Sequence, residues 1–192
     1  MRFRSLLLAS TVALAPLPAL AQDWEVDPSH TSILFSIGHL GFSDTKGIFR
    51  DFDIDVTFDP EDVTSTAATV TIDASSVDTF WQARDEHIRG EDMLHVSEYP
   101  EITFATTSVE MVDETNAKIT GDLTLRGETR PVIFDASLNR IDANPFDASK
   151  RVAGFTLTSV IDRTDFGVDF AAPMVSAEMP VTINIELVGP AE

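Results

Sequence analysis

The sequence predicts an all-β fold: an antiparallel, eight-stranded, up-and-down barrel with one short helical lid. Three observations carry that expectation. About eight segments alternate apolar and polar residues with period two, as half-buried strands do. The connections between them are turn-like: Ser43-Asp44, Asp59-Pro60, Asp113 to Asn116, Arg126-Gly127 and Asn144-Pro145. The alternation fails once, between Thr79 and Val96, where Trp81, Arg84, Asp85, His87 and Arg89 crowd beside Phe80, Ile88, Met93 and Leu94.

The chain opens with a secretory leader pattern over residues 1–21. Arg2 and Arg4 are cationic, Leu6 to Leu20 is apolar, and Ala19-Leu20-Ala21 is a small-x-small cleavage site. The apolar run is short and holds Pro16 and Pro18, and no Cys follows to carry a lipid, so no permanent membrane anchor is expected. Residues 22–192 then form a single domain, long enough for a sizeable core.

Residues 32–41 are the first strand, with Phe35, Ile37 and His39 on the inward face. His39 is read as an interior, hydrogen-bonded histidine. Residues 47–58 give the clearest pattern: Ile48, Phe52, Ile54, Val56 and Phe58 inside, interrupted by Arg50, with Asp51, Asp53, Asp55 and Thr57 in water. That aspartate row begins like a calcium loop. It fails at the sixth position, Val56 instead of Gly, and at the twelfth, Asp62 instead of Glu, so it is read as a solvated strand face.

In 65–75, Ala68, Val70, Ile72 and Ala74 point inward. The charged insertion follows, read as a lid helix with Asp78 or Thr79 as N-cap and Gly90 at its end. Strands are then expected at 101–112, 116–126, 130–140 and 151–162. The last is an apolar row, Val175, Ala177, Met179, Val181, Ile183, Ile185 and Leu187. Short turns make neighbours antiparallel, and long twisted strands remove their edges by closing on themselves.

Composition excludes several functions. Cysteine is absent, which removes thiolate catalysis, iron–sulfur ligation and cysteine zinc sites. The mature chain sets 32 acidic residues against 11 basic ones once Arg2 and Arg4 leave with the leader, a formal charge of −21. No basic surface is visible for nucleic acid or for an anionic membrane. The four histidines, His30, His39, His87 and His95, form no close couplet or HExxH pair, so no metal is expected. No cofactor is expected either.

A barrel of eight strands is either just filled by its side chains or just wide enough for one small ligand. Ala68, Ala74, Ala117, Gly121 and Ala136 favour a hollow interior, while 13 Phe are enough to plug it. The insertion decides for a hollow one, because a plugged tube needs no lid. Phe35, Ile37, Phe52, Ile54, Ile72, Phe104, Leu123, Phe134, Leu157 and Ile183 are expected to line it. His39, Arg84 and His87 are expected near the mouth. The chain has no G-x-S-x-G elbow.

Several stretches resemble YceI-like proteins. They are Trp24 to Ser32, Phe35 to His39, Gly47 to Phe49, Val77 to Thr79, Arg84 to Ile88, Tyr99 to Phe104, Gly121 to Thr129 and Ile161 to Gly167. The resemblance spans the mature chain in order. It implies a lipocalin-like barrel, exported to the periplasm, that binds a polyisoprenoid, an isoprenoid quinone or a fatty amide, with dimers among some relatives. Ile88 stands where relatives commonly have Leu, and Glu91 to His95 replaces an aromatic-rich stretch. The expectation is a non-enzymatic, exported carrier or store for a long-chain lipid. The alternatives are a lipid-modifying enzyme using Arg84, Asp85 and His87, and a plugged barrel serving as a stress-response interaction module.

Overall fold

The computed structural model describes residues 24–191. The expected leader, 1–21, and the start of the mature chain at Gln22 lie outside the described residues. The elements are β1 (Glu25–Val26), β2 (Ser32–His39), β3 (Ser43–Phe49), β4 (Phe52–Thr57), β5 (Ala67–Asp73), β6 (Val77–Asp78) and helix α1 (Gln82–Ile88). After the helix come β7 (Glu101–Met111), β8 (Asn116–Leu125), β9 (Glu128–Asn144), β10 (Asp147–Asp162) and β11 (Glu178–Pro190).

They form one curled sheet in the order β4-β5-β7-β8-β9-β10-β11-β2-β3-β6, with β1 beside β11. Every ladder is antiparallel. Strands β3 and β4 are two halves of one bent stave, and β5 and β6 are two halves of its neighbour. The count is therefore the expected eight staves, with β1 as a short extra.

The bend corrects the reading of 47–58 as one straight strand. At Arg50-Asp51 two residues face four, Asp73 to Ser76, which wind into a 3-10 turn. The Asp51 carbonyl accepts from the Asp73 amide at 3.0 Å, and the Ser76 carbonyl accepts from the Arg50 amide at 3.3 Å. A bulge of this kind bends a stave and shifts its side-chain parity. In β3 the odd residues, Gly47 and Phe49, face the interior. In β4 the even ones, such as Ile54, do so. Ile48 is therefore on the other face from the one expected.

This corner closes the curl, since β6 pairs with β3 and β5 pairs with β4. On its other side β4 has no ladder. There the side chains of Trp24, Val26, Val56 and Phe58 pack as part of a second hydrophobic cluster. Trp24 and Phe58 meet edge-on at 5.3 Å, and Phe58 and Phe155 at 5.4 Å. Ile185 of β11 packs against the same cluster.

Three boundaries differ from expectation. Ser43 and Asp44 begin β3 instead of turning, and the chain reverses at Leu40 to Phe42. The β9–β10 hairpin is longer than expected, with strands of 17 and 16 residues and Phe146 fully exposed near its tip. The last strand starts at Glu178, leaving Val175 in a single bridge to His39.

Candidate ligand-binding cavity

A cavity of about 650 Å³ runs inside the curl, within the range of sites for small ligands. Two glycines give room at its wall for aromatic rings. The Phe35 ring lies flat over Gly47, its cross-strand partner, and the Phe104 ring lies over Gly121. A Cβ built at either glycine would stand 2.2 Å from the ring's Cζ. The rings are thereby held against the wall and off the axis. Phe35 leans on Phe49 at 5.6 Å, and Phe104 meets Phe134 edge-on at 5.6 Å.

Of the residues expected to line a tube, Phe35, Ile37, Ile54, Ile72, Phe104, Leu123, Phe134, Leu157 and Ile183 all stand on this wall. Phe52 does not. It sits at the corner, half-buried, and packs against the main core cluster. Met179 and Val181, from the C-terminal apolar row, join them on the wall, as does Phe49, which the reading of 47–58 as one straight strand turns outward. For Phe49 the parity change at the bend hid it.

Apart from Leu34, the wall residues that are also exposed are His39, Ser43, Trp81, Ala83, His87 and Phe170. They mark the mouth. They sit on the β2–β3 hairpin, on α1 and its approach, and on the loop between Gly167 and Ala177. The three segments touch: the His87 and Phe170 rings are 4.9 Å apart, and the Leu40 amide donates to the Met174 carbonyl at 3.0 Å. His39, Arg84 and His87 are all here. His39 is exposed at the rim, not the interior hydrogen-bonded residue expected.

The lid helix is fastened by its own charges. Trp81, not Asp78 or Thr79, is its N-cap, and it supplies no side-chain cap. The carboxylate of Asp85 reaches back instead, and its Oδ1 accepts from the Thr79 amide at 2.8 Å and hydroxyl at 2.5 Å. Arg84 donates through Nε to Thr79 Oγ1 at 2.7 Å and through Nη2 to the Thr79 carbonyl at 2.6 Å. Arg89, the C-cap in place of Gly90, donates to the carbonyls of Ser75 at 2.6 Å and Val77 at 2.8 Å. Asp78 accepts from the Phe80 amide and from Arg50, and these bonds hold its carboxyl below the usual range. Asp85 is buried and off the cavity wall, so of the triplet Arg84, Asp85 and His87 only the first and last reach the cavity.

The facing rim is organised by Arg163, which is buried. Its guanidinium donates to the carbonyls of Ser176 at 2.9 Å, Phe170 at 3.0 Å and Val175 at 2.9 Å, and to that of Val168. Burial lowers its pKa, opposed by the carboxylates of Asp162 and Asp169. Beyond the family-like stretch Ile161 to Gly167, the sequence carries no local signal for this role.

Away from the cavity, His30 Nδ1 lies 2.9 Å from Asp27 Oδ2 and 3.7 Å from Glu186 Oε2, on the outer surface. Hydrogen bonds from Ser29, then from His30, lower the Asp27 pKa to about 2. Among the described residues this is the one group of three side chains of metal-ligand type.

Residues 24–187 match the YceI-like domain family. The chain belongs to that family. Protein YceI of Escherichia coli O17:K52:H18 is 38% identical over 170 residues, covering 88% of this chain and 87% of that protein. Among solved structures, the Campylobacter jejuni YceI protein is 30% identical with a TM-score of 0.71, covering 81% of this chain and 90% of that one. A polyisoprenoid binding domain from Saccharophagus degradans shares the fold at a TM-score of 0.62 and 14% identity, covering 88% of this chain and 99% of that one. The YceI-like assignment, the antiparallel barrel and its short helix are thus as the sequence implied.

Proposed function

We propose that this YceI-like protein is an exported, periplasmic carrier or store for a long-chain amphiphilic lipid, of the polyisoprenoid, isoprenoid quinone or fatty amide type. The observation that carries this is a continuous, hydrocarbon-lined cavity inside an eight-stave barrel, opening beneath a fastened lid. The tail lies among Phe35, Phe104, Leu123, Phe134 and Ile183, and the polar end stays at the mouth.

Apolar burial supplies the affinity. Each CH₂ taken from water contributes about 0.8 kcal/mol, so one five-carbon unit contributes up to about 4 kcal/mol before ordering costs. No reacting group is required of the protein, and Asp85, the one carboxylate of the lid triplet, serves to hold Thr79. The fold shared with the polyisoprenoid binding domain of Saccharophagus degradans agrees with this reading.

The test is native mass spectrometry of the protein purified from its host, followed by solvent extraction of any bound species. A co-purifying lipid, or uptake of added prenyl chains or quinones, is expected. Failure of both overturns the proposal. Fractionation of the host, with the mature chain beginning near Gln22 in the periplasmic fraction, tests export separately.

A further inference from the structure

Six large apolar side chains stand in water on the three segments that frame the mouth. They are Leu40 and Phe42 on the β2–β3 turn, Phe80 and Trp81 before α1, and Phe170 and Met174 on the loop after Gly167. Among the described residues twelve large apolar side chains are exposed, so half of them fall on these tips. Single exposed apolar residues are ordinary, whereas a group of them marks a contact surface. The hairpin and the loop are joined by backbone, since His39 bridges to Val175 and the Ser176 amide donates to the Gly38 carbonyl at 2.9 Å.

The tips are also bare of charge. Residues 40–42, 80–83 and 170–175 hold no Asp, Glu, Lys or Arg, in a chain with 32 acidic and 13 basic residues. The nearest carboxylates in sequence are turned to other work. Asp44 lies 3.7 Å from Lys46, Asp78 accepts from Arg50, and Asp85 is buried against Thr79. Asp169 acts on the buried Arg163.

Each tip contains one non-glycine residue in the left-handed region: Leu40 at φ 55°, Phe80 at φ 66° and Ala171 at φ 57°. For bulky apolar residues that conformation is uncommon and strained. Leu40 and Phe80 are thus apolar, strained and exposed at once. Such an arrangement is favourable only where something apolar covers it.

We propose that the three tips dock the mouth onto the surface of a zwitterionic phospholipid bilayer. The six side chains enter the boundary between head groups and acyl chains, and a lipid passes between bilayer and cavity without crossing water. This rests on the lipid-binding reading above. Apolar burial supplies the attraction, and the ring of Trp81 suits the interfacial layer. An anionic surface is the wrong partner, because the mature chain sets 11 basic residues against 32 acidic ones and is repelled by it. A second copy is the wrong partner too, since two chains joined tip to tip would seal both mouths.

Trp81 is a built-in reporter. The other tryptophan, Trp24, is buried in the second cluster. The chain from Gln22, purified with its lipid, is mixed with vesicles of phosphatidylcholine and phosphatidylethanolamine. It is expected to float with them, to shift its tryptophan emission to the blue and to be quenched by lipids brominated on the acyl chain. The vesicles should also strip the bound lipid, read by native mass spectrometry. Adding phosphatidylglycerol weakens flotation at low salt, and raised salt restores it.

The variant combines Phe42→Ser, Phe80→Asn and Met174→Ser, at positions 87%, 74% and 65% exposed and off the cavity wall. Asn accepts the left-handed backbone of Phe80. Partition to vesicles and stripping of lipid are expected to fall about tenfold or more, with the lipid content of the purified variant unchanged. Should the triple variant not fold, Phe42→Ser and Met174→Ser are measured singly, with a fall of about threefold each. Wild-type chain that neither floats nor shifts its emission overturns the docking surface and leaves the lipid reading standing. Chain that floats but carries and takes up no lipid overturns the lipid reading and leaves the docking surface. Undiminished flotation of the variants overturns the assignment to the tips, and stronger flotation on phosphatidylglycerol overturns the apolar mechanism. A dimer that the variants disperse, with no flotation of either form, assigns the tips to a second copy and overturns the proposal.

Discussion

The Thr79 hydroxyl, itself buried, donates to the buried carboxylate of Asp85 at 2.5 Å and so ties the lid helix to the strand that closes the barrel. A buried carboxylate that loses a donor keeps its desolvation cost, typically about 1–3 kcal/mol. Thr79→Val is therefore expected to destabilise the fold by about 2 kcal/mol, and Asp85→Asn, which keeps an acceptor at Oδ1, by less. Urea unfolding of the two variants gives both numbers. A neutral result for Thr79→Val would sever the lid from the stability of the barrel.

Gly47 and Gly121 should control the bore. Gly47→Val and Gly121→Val each place a side chain where the Phe35 or Phe104 ring now lies, and the ring must swing toward the axis. Overpacking of this sort costs about 1–3 kcal/mol in a filled core, but here the ring has a cavity to enter. The expected result is a small loss of thermal stability with a large loss of bound lipid, read by melting temperature and by native mass spectrometry together. Gly121 has the harder constraint, because a Cβ there also meets the Ala105 carbonyl oxygen at 2.6 Å.

Arg163→Lys removes most of a four-carbonyl clamp. An ammonium group has three donors on one atom and cannot span the Ser176, Val168, Phe170 and Val175 oxygens together, so at least one becomes unpaired. A loss of about 2–4 kcal/mol is expected, with the rim loop around Phe170 becoming protease-sensitive first. Limited proteolysis of the variant checks the order of events.

The Asp27–His30 pair should print a window on the pH dependence of stability. Hydrogen bonds from Ser29 and His30 hold the Asp27 carboxyl at about 2 against an ordinary 3.8. Its contribution is therefore present above about pH 4 and fades as pH falls through the folded value. The Asp27 hydrogen bond, then the Asp27 and Glu186 charges, raise His30 above 6.5. That contribution is complete below about pH 6.5 and fades as pH rises through the raised value. The two overlap between about pH 4 and 6.5. An NMR titration of the His30 ring is expected to show a midpoint above 6.5 that drops in Asp27→Asn. An unmoved midpoint would mean the pair does not form in solution.

Much of the barrel was legible because strand alternation is a local property. Phe35 and Ile37, Ile54, Ile72, Leu123 and Ile183 follow from period two alone. Phe49 was missed, and Ile48 misplaced, because a corner changes parity, and Arg50-Asp51 shows no Gly or Pro to mark it. Phe52 fell with it, as the residue at the corner itself. The lid was visible as broken alternation, but its fastening was not. Capping preferences point to Asp78 and Thr79, whereas tertiary geometry lets Asp85 reach back from within the helix and bind Thr79 instead. Arg163 depends on carbonyls up to 13 residues away in sequence, which no local pattern encodes.

The β4 half of its bent stave is stitched to a neighbour along a single border. A cylinder knitted all round can change girth only by breaking backbone bonds, but this one has an expansion joint bridged by side chains. Ile54, on that stave and on the cavity wall, stands beside it. Branched or kinked hydrocarbon can then be accommodated by rotamer changes there, with the rest of the weave intact. Deuterium uptake should be quickest at the β4 amides turned away from β5, and a bound lipid should slow them most.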